Sequence, residues 1–292
     1  PVTTTQTLTT GGTFTGLTAG TVYTFTVAAI NSSGSGGTTT SASRITRSLP
    51  PASLTPAPAA ATNYIDLSWP SAVGAVSYTV VSTPATVTNS ELTGTNLRFT
   101  GLASGTNYTF TVTSVNASGT SETSRTSVSV LTLPNPPASI TPSNATTTTV
   151  DLNWAAAVGT DTYTITTTPV STTRSGLVGT SYTFPSLSSG ISYTFTIRSV
   201  NASGTSPTST TSVSYFTIPV AVSALNTSGP QQTSIDLSWT DVTGESHYTI
   251  TSTPSVGYTA TLAANTTAAT FPAHGIQNLF SIFGDSGRFI LA

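Results

Sequence analysis

The sequence predicts an all-β chain made of small two-sheet sandwiches strung in tandem, and three observations carry that expectation. Landmark aromatics recur at a fixed interval: Trp69, Trp154 and Trp239 lie 85 residues apart, as do Tyr23, Tyr108 and Tyr193, and Tyr78, Tyr163 and Tyr248. Apolar residues alternate with hydroxyl residues along short runs, as in Tyr108-Thr109-Phe110-Thr111-Val112, which is the period of a half-buried strand. Clusters of Gly, Pro, Asn and Ser interrupt these runs about every ten residues, the punctuation of a sandwich.

A period of 85 is too long for a solenoid unit, and each copy is large enough to bury a core of its own. Within a copy, Ile65, Leu67 and Trp69 share one strand face while Asp66 and Ser68 share the other. The pattern recurs as Val150, Leu152, Trp154 and as Ile235, Leu237, Trp239. This alternation assigns the three tryptophans to the interior rather than to an exposed sugar-stacking row. Threonine suits the strands because its branched Cβ favours extended backbone while its hydroxyl keeps the outer face wet.

These residues carry a family resemblance. Ile65-Asp66-Leu67-Ser68-Trp69, Tyr78-Thr79-Val80 and the run from Gly101 to Val112 resemble strands B, C and F of a fibronectin type III module, an immunoglobulin-like β-sandwich. The resemblance implies that Trp69, Trp154 and Trp239 are core. It also implies that Tyr23, Tyr108 and Tyr193 make corner hydrogen bonds to the preceding turn over Leu17, Leu102 and Leu187. Prolines at 50–51, 134, 136–137 and 219 fall where modules should join. The expected organisation is the C-terminal part of a module at 1–49, whole modules at 50–134 and 135–219, and an incomplete or divergent module at 220–292. Short proline-bearing junctions would make the array a semi-rigid rod.

The two ends depart from the repeat. The first segment has later strands only. The last carries Trp239 and Tyr248, but Phe271–Gly275 is shorter than its counterpart, Asn278 stands where the corner tyrosine belongs, and no clear final strand follows. One reading is an excerpt of a longer array. The other is strand complementation, in which one chain completes the next head to tail and covers edges that would otherwise stay open.

Charge bounds the partners. Seven basic and nine acidic side chains make 5% of the 292 residues charged, against roughly 25% in an ordinary soluble domain. All seven basic residues are arginines, and no basic stripe exists to neutralise phosphates, so nucleic acid is not expected as a partner. No apolar run reaches the roughly 18 residues of a spanning helix, and membrane insertion is not expected either. Cysteine is absent, which removes disulfides, thiolate catalysis and cysteine-ligated zinc. The carboxylates are scattered. Asp66, Asp151 and Asp236 merely repeat one strand position, and the grouping of Asp236, Asp241 and Glu245 is not reproduced in the whole modules. His247 and His274 stand alone. With no nucleophile elbow, phosphate loop or metal-ligand spacing, the expectation is a non-enzymatic chain without cofactor or metal.

Asn-x-Ser/Thr triplets occur at Asn31, Asn107, Asn116, Asn144, Asn201, Asn226 and Asn265. Of these, Asn31, Asn116 and Asn201 repeat one position just after a strand, a placement suited to glycans. More than a third of the chain is Ser or Thr, which would also accept O-linked sugars. The functional expectation is a structural repeat protein of an extracellular filament, sheath, appendage, or virion or cell-surface fibre. It would associate with itself, head to tail or laterally, or with other surface proteins, since the lysines that usually protect edge strands are missing. The competing expectation is an adhesin or glycan-binding spacer within a larger secreted protein.

Overall fold

A computed structural model of the 292-residue chain describes residues 11–169, 171–231, 234–252, 259–272, 280–284 and 287–288. It divides into two compact units, Pro1–Leu133 and Pro134–Ala292. The described residues contain strands and no helix.

Among its described residues the first unit opens with four strands that form a partial module: β1 (Val22–Tyr23), β2 (Thr26–Asn31), β3 (Gly34–Thr40) and β4 (Arg44–Ile45). β1 pairs with β4 and β2 with β3. A whole sandwich follows. One sheet contains β5 (Thr55–Pro56), β6 (Tyr64–Ser68) and β9 (Asn96–Thr100). The other contains β7 (Ser77–Thr83), β8 (Thr88–Leu92) and β10 (Asn107–Asn116), with the short β11 (Gly119–Thr120), β12 (Arg125–Thr126) and β13 (Val130–Leu131) arranged along β10. All pairings are antiparallel.

Alternation in the sequence builds the interior. β10 buries every second residue, Tyr108, Phe110, Val112, Ser114 and Asn116, and β6 buries Ile65 and Leu67 just before Trp69. These meet Tyr78, Val80, Phe99 and Leu102 in one cluster. Each large side chain taken from water contributes about 1.5–3 kcal/mol, so the cluster is the principal source of stability for a fold with so few charges. Along β10 the inward residues change from aromatic to polar at Ser114 and Asn116. That end of the strand faces the partial module instead of the core.

The second unit repeats this arrangement. Val150–Trp154 pairs with Ile140–Ser143 and Ser181–Phe184, while Thr162–Thr168 lies between Thr173–Leu177 and Ser192–Asn201. Its core gathers Trp154, Tyr163, Leu187, Tyr193 and their neighbours. A third, smaller cluster holds Leu237, Trp239, Tyr248 and Ile250.

Two details differ from the sequence reading. Leu17 and Tyr23 are half-buried rather than core, because the partial module has no opposing sheet among the described residues to cover them. In the last segment the region expected to depart from the repeat still supplies a strand at the place of β10: Phe280–Gly284 pairs with His247–Ser252, Tyr248 opposite Gly284 as Tyr78 is opposite Ser114 two periods earlier. A two-residue strand, Gly287–Arg288, turns back onto it. Asn278, His274 and Asp285 lie outside the described residues.

Candidate functional site

Most of the repeated polar groups tie the backbone together. Tyr108 and Tyr193 are almost fully buried. The hydroxyl of each accepts a backbone N–H, from Ala103 at 2.9 Å and from Ser188 at 3.0 Å, and Tyr23 accepts from Thr18 at 2.9 Å. Leu102 and Leu187 are buried beside them. A second tyrosine series does the same at the other end: Tyr78 accepts from Ala72, Tyr163 from Ala157 and Tyr248 from Val242, at 2.9, 3.1 and 3.0 Å. Trp69, Trp154 and Trp239 are 4–6% exposed and each packs edge-on against the tyrosine of this second series, with ring centroids 5.4–5.6 Å apart.

Sequence reasoning missed a third series. Thr46, Thr132 and Thr217 each accept a backbone N–H, from Thr21, Thr106 and Ile191 at 2.9–3.0 Å. Each also donates at 2.7 Å to the carbonyl of Thr18, Ala103 or Ser188. The signal was present as threonines 85 and 86 residues apart, hidden by the abundance of threonine.

The strand carboxylates are also held by the scaffold. Arg98 makes a bidentate pair with Asp66, at 2.8 and 3.0 Å, and lies 4.1 Å above the Tyr64 ring. That hydrogen bond holds the Asp66 carboxyl below the usual carboxylate range. Across the equivalent pairing Thr183 donates to Asp151 at 2.6 Å and Thr270 to Asp236 at 2.8 Å. Asp151 is lowered by the Thr183 bond first and then by Asn144. Tyr248 donates to Asp241 at 2.8 Å, and Glu245 accepts the Asn265 N–H at 2.9 Å. Burial pushes the Tyr248 phenol up to about 12, the Val242 N–H opposes the shift, and Asp241 reinforces it. No group of three or more His, Asp or Glu that could hold a metal occurs among the described residues. No helix among them is long and apolar enough to cross a membrane.

The asparagines divide into two kinds. Asn31, Asn107, Asn144, Asn226 and Asn265 are exposed. Asn116 and Asn201, expected as glycan acceptors, are each only 7% exposed and have their amide nitrogens engaged. Asn116 Nδ2 donates to Thr46 O at 2.9 Å and Gly74 O at 3.2 Å, and Asn201 Nδ2 donates to Gly159 O at 3.1 Å. At these two positions the side chain expected to be an accessible acceptor is instead buried with its amide hydrogen-bonded to backbone carbonyls.

Asn116 belongs to a cluster of hydrogen-bonded polar groups at the joint between the partial module and the sandwich. Ser114 donates to Leu49 O at 2.7 Å and so accepts from Ser48, also at 2.7 Å. Ser118 donates to Ile45 O. Gly20 and Gly74, both at positive φ, approach so closely that a Cβ on either would strike the other's backbone. A cleft of about 530 Å³ lies beside the joint between Ala19, Leu49, Pro50 and Val73, and its Arg125 reaches Pro51 O at 3.4 Å.

The chain is 37% identical over 135 residues to Chitinase A1 of Niallia circulans, covering 42% of the chain and 19% of that protein. It is 32% identical over 237 residues to Receptor-type tyrosine-protein phosphatase eta of Gallus gallus, covering 77% of the chain and 17% of that protein. The chain thus spans less than a fifth of the length of either relative. Among solved structures, it resembles the chicken CNTN1 FN1–FN3 domains at 14% identity and a TM-score of 0.35, over 82% of this chain and 95% of that one. It resembles a two-domain segment of chicken tenascin at 20% identity and 0.38, over 57% and 99%. The family model described as the fibronectin type III domain matches residues 49–130 and 135–215. The chain belongs to the fibronectin type III family.

Proposed function

We propose that this chain is a non-enzymatic structural array of an extracellular or cell-surface protein, in which the modules set spacing and bear load. The reading rests on what recurs. The groups that close the interior are kept across the repeats: the tryptophans, both tyrosine series and the threonine series. The outward groups change, as Arg98, Thr183 and Thr270 show opposite the repeated aspartate. An array selected for binding at every module would keep its outer groups; one selected for shape keeps its interior. Assembly into a filament, sheath or fibre, by head-to-tail strand complementation or lateral contact, is part of the proposal. It is supported by Val27 and Ile30, 70% and 78% exposed on β2. Electron microscopy of the native material should show ordered polymers. Dispersed particles at every concentration, in electron micrographs and by sedimentation, would refute the filament.

A second reading is a spacer within a larger secreted enzyme or adhesin, favoured by the likeness to a chitinase. It predicts a catalytic domain encoded beside this segment, or saturable glycan binding by the chain itself.

A further inference from the structure

We infer that Asn116-Ala117-Ser118 is a clip that locks one module onto the one before it, and that its amide is reserved for this joint and withheld from glycans. The inference goes beyond a spacing role, which flexible junctions would also serve. Three bonds leave this one turn for other segments. Asn116 Nδ2 spans the joint, with one hydrogen on Thr46 O of the partial module and the other on Gly74 O of the sandwich's own turn. Ser118 Oγ reaches Ile45 O beside it. The clip is preorganised, because the Ser118 N–H donates to Asn116 Oδ1 at 2.9 Å and fixes the side chain before any neighbour is met. An N-linked sugar would replace one of the two Nδ2 hydrogens and so delete one of the bridging bonds.

The contact that sets the distance is the glycine pair. Gly20 and Gly74 meet backbone to backbone in the first unit, and Gly190 and Gly244, at the same repeat positions 170 residues later, meet in the same way in the second. A Cβ at any of the four would force that joint apart. Two joints built on one glycine pair mark the approach as a property of the repeat. The surrounding groups are polar but paired: Ser48, Ser114 and Asn116 are all nearly buried and all hydrogen-bonded across the same boundary. Buried polar groups left without partners are costly, so separating the modules is opposed by their desolvated donors and acceptors until water replaces each contact.

The test uses the full chain made in a non-glycosylating host, and the absence of native cysteine makes site-specific labelling clean. Spin labels are attached after Thr39→Cys and Asn96→Cys, at exposed positions on β3 and β9. Pulsed electron spin resonance should give one narrow distance distribution. Asn116→Asp keeps the acceptor for Ser118 N–H but turns a carboxylate onto two carbonyls, and should broaden the distribution about two-fold, toward the freedom usual between domains. Gly20→Ala should shift its mean, and Asn31→Asp, at an exposed triplet of the same kind, should leave it unchanged. Ser118→Ala removes a contact made only to the partial module, so it decides the matter if Asn116→Asp disturbs the sandwich itself, as read by hydrogen exchange in Asn107–Asn116. An unchanged distribution in Ser118→Ala together with either an unchanged Asn116→Asp or an unfolded one would overturn the inference. So would a folded chain from a glycosylating host that carries sugar on Asn116 and keeps the narrow distribution.

Discussion

Trp154→Ala probes the claim that each sandwich stands on its own interior. Trp154 is 6% exposed and lies edge-on to Tyr163, with centroids 5.4 Å apart, among Ile140, Leu152, Ile165 and Tyr193. Truncating such an aromatic removes its transfer free energy and leaves a cavity that a two-sheet core closes only partly. The expected cost is about 3–5 kcal/mol, including about 0.5–1.5 kcal/mol from the lost edge-to-face pair. Hydrogen exchange read on the peptide Ser192–Asn201 localises the effect. At tenfold per 1.36 kcal/mol, protection should fall by about two to four decades. Protection in Asn107–Asn116, which rests on the separate cluster around Trp69, should hold. The indole adds a control: Trp154→Phe keeps a ring against Tyr163 and leaves a smaller cavity, so it should lose less protection than Trp154→Ala. A fall of less than tenfold in Trp154→Ala, or equal falls in both peptides, would refute independent cores.

Other consequences can be measured in the same chain. Thr217→Val leaves the Ile191 N–H and Ser188 carbonyl without their buried partner, and should cost about 1–3 kcal/mol by denaturant unfolding. Thr196→Val, which removes an exposed hydroxyl pair with Thr211, should be nearly neutral. The Tyr248 phenol titrates near 12 when folded, above the roughly 10 of an unfolded tyrosine. Its contribution is therefore complete below the unfolded value and lost as pH rises through the folded one, and Tyr248→Phe should flatten the alkaline fall in that window. Asp66 has the opposite sign. Its lowered carboxyl favours the fold above the unfolded pKa and loses that effect as pH falls through the folded one. In Arg98→Gln the Asp66 carboxyl resonance should titrate at higher pH, with little change in overall stability because the pair is exposed.

How much could be read from residues alone depended on what each residue faces. Strand alternation and the 85-residue spacing located the interior because a side chain's burial within a sheet follows from its own strand: Ile65, Leu67 and Trp69 needed no knowledge of neighbours. Asn116 did need it. As a triplet after a strand it has the form of a glycan acceptor, and its burial as a donor comes from the distant segments at Thr46 and Gly74, which the local sequence does not show. Tyr23 shows the converse. It keeps the corner bond to Thr18, which is local, but not the burial, which depends on a sheet lying across from it. The strand Phe280–Gly284 was harder to read because Asn278 stands in the sequence where the other copies carry the marker tyrosine.

The same distinction explains how so lightly charged a surface can be kept in order. Cross-strand hydroxyl pairs stand where other sheets place ion pairs: Thr26 with Thr40, Thr111 with Thr126 and Thr196 with Thr211, at 3.0–3.3 Å on the exposed face. Such pairs contribute a few tenths of a kcal/mol each and, unlike surface ion pairs, are not screened by salt. A sandwich held by an apolar interior, tyrosine and threonine corners and hydroxyl ladders should therefore unfold at nearly the same denaturant midpoint at low and high sodium chloride. Arg98→Gln should show the same insensitivity, since the one bidentate ion pair among the described residues lies on the surface. A midpoint that falls steeply as salt rises would mean that long-range charge, sparse as it is, holds the fold, and that the hydroxyl ladders do not.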